Sequence, residues 1–259
     1  MSTYWQDRVA QSQNNITNKT ARQIKKQMLK YYATAAENTI KEFELTYYKV
    51  LESLEEGKQP TPADLYNLDK YWQMQQQMRK ELRALGDKQI SALTKAFEAN
   101  FFDVYYSIAA EGSNAFSTID TEMVKQMINQ VWVVDGKSWS ARIWENTEKL
   151  AETLNEELIN CVVSGKKTSV LKQKLQERFG VSYSAADSLA RTELAHIQTQ
   201  AAQKRYEDLG VQMFEVWADE DERRCEVCGK LHQKRYPASA LPPIPAHPRC
   251  RCCIVPVIE

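Results

Sequence analysis

The sequence predicts a mainly α protein, with a long N-terminal helical hairpin and a smaller α+β C-terminal domain. Three observations point there. Of the eight prolines, Pro60 and Pro62 mark one turn and the other six lie from Pro237 onward, so residues 63 to 236 contain none. Apolar residues in the first hundred positions recur every three or four places, the period of a helix face. Five of the six cysteines fall in the last 35 residues, which makes the C-terminal end chemically distinct.

The elements follow in order. Leu29, Tyr32, Ala36, Ile40, Phe43, Tyr47, Val50 and Leu54 form one stripe on a long helix ending near Gly57. Its other face, with Lys25, Lys26, Lys30, Glu37, Lys41 and Glu44, is solvated. Thr61-Pro62-Ala63-Asp64 reads as a new start: Thr61 caps, Pro62 takes the first helical position and Asp64 faces the positive helix end. A second long helix, weakest at Gly86, carries Leu65, Leu68, Trp72, Leu82, Leu93, Phe97, Phe101 and Tyr105. The two helices should lie antiparallel, joined around residues 57 to 62.

Shorter elements come next: a helix after Asp120, a turn around Gly136, and a helix through Trp144 and Leu150 to Cys161 that breaks at Gly165. Further helices should run from Ser169 to Gly180 and from Ser184 to Gly210, each closed by its glycine. Val211 to Trp217 is too rich in β-formers to continue as helix and reads as a strand.

A formal net charge of +0, with 43% hydrophobic and 26% charged residues, belongs to an ordinary folded protein. It argues against a chain that lives by phosphate contacts, which usually carries a basic excess. The N-terminus lacks the charged-then-apolar plan of a signal peptide, and no stretch approaches the ~20 apolar residues of a membrane span. The expected first location is the cytosol, where clustered thiols argue for metal before disulfide.

Cys225-Glu226-Val227-Cys228 is followed after eighteen residues by His247-Pro248-Arg249-Cys250-Arg251-Cys252-Cys253. Two chelating pairs of this kind suit tetrahedral zinc. The expected ligands are Cys225, Cys228, His247 and Cys250, with Cys252 as the alternative fourth ligand. In extended chain Cys253 would point the other way. His232, beside Lys234 and Arg235, reads as solvated. Pro237, Pro242, Pro243 and Pro245 keep the intervening loop from helix or central strand, so a structural zinc has something to hold. A catalytic zinc would keep an open position and a nearby general base; no such signature occurs, and the acidic run 219–222 reads as solvated. Arg223, Arg224, Lys230, Lys234, Arg235, Arg249 and Arg251 make a basic patch for DNA phosphates or an acidic partner surface, or simply balance the thiolates.

Several motifs together resemble the phage head morphogenesis proteins of the Mu protein F like type, also called minor head or minor capsid proteins. They are Trp139-Ser140-Ala141-Arg142-Ile143-Trp144-Glu145-Asn146-Thr147, Ala190-Arg191-Thr192-Glu193-Leu194-Ala195-His196, Gly210 before Asp219, and the cysteine and histidine groups with Pro242-Pro243 between them. Tyr4-Trp5-Gln6-Asp7-Arg8 and Lys70-Tyr71-Trp72 look like the helical portion found ahead of that domain. The sequence departs from the pattern at Arg224, where Thr or a similar residue is usual. The resemblance implies a helical arm over 1–118 and a head morphogenesis domain over 119–259, with its metal segment at 217–256. It also implies a virion protein of the phage head that associates with portal and capsid proteins in assembly, DNA packaging or ejection. No enzymatic activity and no small-molecule substrate are expected, and packaged double-stranded DNA is the second partner class considered. Arg191 and Glu193, a family hallmark, are expected to form a buried ion pair that orients the zinc module. Some members carry an added toxin domain such as an ADP-ribosyltransferase; with Glu259 directly after the motif, none is expected here.

Overall fold

The structure, a computed structural model, describes residues 4–53, 58–108, 118–218 and 224–257. Its described elements are helices α1 (Tyr4–Ser53), α2 (Pro62–Tyr66), α3 (Asp69–Ser107), α4 (Thr121–Asn129), α5 (Trp139–Val163), α6 (Thr168–Asp208) and α7 (Glu226–Leu231), with strands β1 (Met213–Trp217), β2 (Arg235–Pro237) and β3 (Cys253–Pro256). The chain packs as two compact units. One comprises 1–25, 92–139 and 188–259, and the other comprises 26–91 and 140–187. Both draw on residues before and after 118, so the sequential arm and domain are each distributed over both.

In the second unit α1 and α3 form the expected antiparallel pair. Tyr32 pairs with Gln89, Asn38 with Glu81 and Glu42 with Lys70, the partner number falling as the first rises. The buried line on α1 is Met28, Tyr32, Ala35, Thr39, Phe43, Tyr47 and Val50, while Leu29 is 47% exposed. Leu29 sits one residue, about 100° of helix, away from Met28. Leu54 and Gly57 lie outside the described residues.

The turn follows the expected cap. Thr61 accepts from the Asp64 N–H and Asp64 takes the Thr61 N–H at 2.7 Å, a reciprocal capping box with Pro62 at the start. The new helix is interrupted at Asn67 and Leu68, however, and α3 begins afresh at Asp69. That interruption shifts the helical phase: Tyr71 turns inward at 3% exposure, and Trp72 is left 53% exposed with its N–H on the Tyr66 carbonyl.

Helices α5 and α6 also run antiparallel here, with Asn146 reaching the Ser182 carbonyl and Glu157 reaching Lys174 and Arg178. Gly86 does not weaken α3. A Cβ there would lie 2.4 Å from the Trp144 ring, so glycine lets the indole rest on the helix backbone. The break expected at Gly180 is absent, and α6 passes through it without interruption. One glycine costs a helix about 1 kcal/mol, too little to end one that buries Phe179 before it and Ser182 after it. Gly136, Gly165 and Gly210 do take positive φ at turns.

In the first unit the strands form an antiparallel sheet in the order β2-β1-β3. Pro237 sits on an edge strand, where its missing donor is tolerated. Gln13 of α1 donates to the Tyr206 hydroxyl at 2.8 Å and to the Ile254 carbonyl at 3.3 Å, and Trp217 donates to Asp7. These bonds fix the central and outer strands against α1 and α6. Among the described residues no helix is long and apolar enough to cross a membrane.

Candidate metal centre

Strand alternation sorts the side chains of β1. Val216 packs with Cys228, Ile244, Cys250 and Cys252, whereas Trp217 packs with Cys253, Val255 and Ala10. The same alternation in the last segment sends Cys250 and Cys252 to the first cluster and Cys253 to the second, as expected. Cys253 is fully buried, and its thiol faces the Trp217 carbonyl.

Five donors converge on the first cluster. Cys225, Cys228 and His247 lie within 4.8 Å of one another, and so do Cys228, Cys250 and Cys252. Cys228 belongs to both groups. Its Sγ is 3.0 Å from His247 Nε2 and 3.6 Å from Cys250 Sγ, and Cys225 Sγ is 3.2 Å from the same histidine nitrogen. A tetrahedral zinc with ordinary bond lengths has edges of about 3.8 Å between sulfurs and about 3.6 Å between sulfur and nitrogen. The Cys228–Cys250 separation is already close to such an edge, the two sulfur–nitrogen separations are shorter than one, and the donors form two overlapping groups of three that share Cys228.

Local structure places each donor. Cys225 caps α7 and takes the N–H of Cys228, so the C-x-x-C turn brings both sulfurs to one side. That amide holds the Cys225 thiol below its ordinary pKa. The hydrogen bond from Cys252 draws the Cys250 thiol down to about 5, while burial pushes Cys228 up to about 12. Cys252, which donates to Cys250 and is itself buried, is raised. Sulfur ligates a metal as the thiolate, so an ion bound there would displace protons from these thiols. His247 Nδ1 faces the Pro248 carbonyl at 2.9 Å, which leaves Nε2 for the sulfurs. His232 is not solvated as expected: its Nδ1 accepts the Ala218 N–H and its ring packs against Trp217, which takes it out of the donor set.

The basic residues divide. Lys230 pairs with Glu226 at 2.6 Å and Arg235 with Glu215 at 2.9 Å. Arg224, Arg249 and Arg251 line the mouth of the donor cluster with Cys225, Cys228, His247 and Cys252. Lys234 is exposed beside β2, and Arg223 and the run 219–222 lie outside the described residues.

Glu193 is buried and accepts the Trp132 indole N–H at 2.9 Å; Arg191, two positions along the same helix, is half-buried. Trp132 stacks on His196 at 4.2 Å, and His196 Nδ1 lies 3.4 Å from the Ile244 carbonyl. Burial holds the His196 pKa down to about 4, so the ring is neutral and donates through Nδ1. Sequence reasoning assigned no role to Trp132 or His196. The W-V-V-D-G-K-S-W segment was legible only as a turn, although His196 stands at i+3 from Glu193.

Residues 152–255 match the family model of the phage Mu protein F like proteins. The chain carries a Mu protein F like region. That region contains all five donors and the Arg191-Thr192-Glu193 motif. A stretch of 128 residues is 26% identical to the NAD(+)-arginine ADP-ribosyltransferase EFV of Enterococcus faecalis, covering 48% of this chain and 26% of that protein. The chain thus spans about a quarter of that relative's length. No solved structure matches the chain.

Proposed function

We propose that the protein is a minor head protein of a tailed bacteriophage, a virion component that docks on portal and capsid subunits during head assembly. Its C-terminal segment holds one structural zinc and performs no catalysis. The observation that carries this reading is the Mu F-like match over 152–255 coinciding with a thiol-rich donor cluster. Cys225, Cys228, His247 and Cys250 are the ligands, with Cys252 in reserve. Bound there, zinc would tie α7 to the segment before β3 across a loop with little helix or sheet of its own.

The test is metal content by mass spectrometry on the purified chain beside a Cys225→Ser/Cys228→Ser variant, followed by pull-down of portal protein. One zinc per chain, lost in the variant, and retention on portal are the expected results. No metal in protein prepared without chelator would overturn the structural-zinc reading.

A second reading is favoured by the three arginines at the cluster mouth, whose guanidinium forks suit phosphate oxygens of packaged double-stranded DNA. It requires DNA binding that weakens with salt and loses slope when Arg224, Arg249 and Arg251 are changed to Gln. A transferase activity centred on Glu193 is the weakest alternative, because that carboxylate already accepts the Trp132 indole. Turnover abolished by Glu193→Gln would establish it.

A further inference from the structure

We infer that Thr192 and His196 of α6 are positioning residues for the metal ligands, gripping the ligand segment on both sides of His247. This rests on the structural-zinc reading. The Thr192 hydroxyl donates to the Ser188 carbonyl at 2.8 Å and accepts the Arg249 N–H at 3.0 Å. Its proton is committed along the helix, so a lone pair is left to receive the amide. Arg249 holds a φ of +61°, in the left-handed region that a non-glycine residue rarely adopts and that persists only where surroundings enforce it. The Thr192 bond is such an enforcement. The left-handed residue closes the turn in which the Cys250 N–H meets the His247 carbonyl at 3.1 Å, and that turn aims His247 and Cys250 at Cys228.

The second grip lies three residues before His247. His196 and Thr192 are one helical turn apart, on one face of α6. His196 approaches the Ile244 carbonyl through Nδ1, and its ring is held flat by Trp132, which Glu193 anchors. Glu193 acts through a tryptophan and Thr192 directly on the loop. The hallmark triplet thus reaches the metal ligands through its threonine and through His196, rather than through an acid-base pair alone. Outer partners that orient metal ligands typically matter about 10–100-fold in metal affinity.

The experiment uses the full chain, stripped of metal and titrated with Co(II) and with Zn(II) against a chromophoric chelator. Thr192→Val should raise the dissociation constant about tenfold and alter the Co(II) absorption bands, which report ligand geometry; Thr192→Ser should restore both. His196→Ala should act in the same direction. Tyr105→Phe, which removes a hydroxyl bonded to Asp208 away from the donors, should lower thermal stability and leave metal affinity and spectrum unchanged. Thr192→Val with wild-type affinity and spectrum, or an effect that Ser does not rescue, would overturn the inference. Failure of the unaltered chain to bind either ion would instead remove the zinc reading on which it stands.

Discussion

At the scale of single residues, the donor cluster and the core beside it use the same amino acid for different purposes. Cys253 packs against Ala10, Trp217 and Val255, away from the donors. Cys253→Ser should leave metal stoichiometry at its wild-type value while costing about 1–3 kcal/mol, because a hydroxyl replaces a buried apolar sulfur; metal analysis and denaturant unfolding read the two effects separately. Glu157 makes a second residue-level test. Burial disfavours its carboxylate, yet the hydrogen bonds from Lys174 and Arg178 prevail and keep its pKa below the ordinary value of 4.5. The folded state therefore holds the charge more firmly than the unfolded chain. Its contribution is complete above pH 4.5 and is lost as pH falls through the lowered folded value. In Glu157→Gln the melting temperature should be lower at neutral pH and fall less steeply in acid. Equal acid limbs in the two proteins would contradict this account.

At the scale of elements, two glycines that look alike in the sequence should behave oppositely. Gly86→Ala drives a methyl into the Trp144 ring, and overpacking of that kind costs about 1–3 kcal/mol. Gly180→Ala meets nothing within 4 Å inside a continuous helix and should stabilise by about 0.5–1 kcal/mol. Paired thermal melts decide it, and a shift of the same sign in both would count against the packing described. The contrast also marks what was readable beforehand. The α1 and α3 pairing, the Thr61 cap, the helix after Asp120 and the strand ending at Trp217 all follow from local periodicity and capping chemistry. The continuity of α6, the fit of Gly86 and the exposure of Trp72 depend on neighbours far away in the chain. No window of sequence contains them. Likewise Cys225, Cys228, His247, Cys250 and Cys252 were identifiable as candidate donors by spacing, whereas Trp132 and His196 became visible only when folding stacked one on the other.

At the scale of the whole molecule, the small sheet and the metal loop have a thin apolar core of their own and are expected to lean on the ion. Chelation should make residues 217–256 susceptible to protease while the α1 and α3 pair within 26–91 stays protected, since structural zinc binding is folding free energy. Limited proteolysis with and without chelator, read by mass spectrometry, checks this; uniform resistance would show that the segment holds itself. The two donor groups overlap in one sulfur, that of Cys228. If a tetrahedral zinc sits there, five candidate donors serve four positions, and the arrangement carries one part more than it needs. Loss of Cys250 or of Cys252 would then leave four donors, whereas loss of Cys228 would break both groups of three at once.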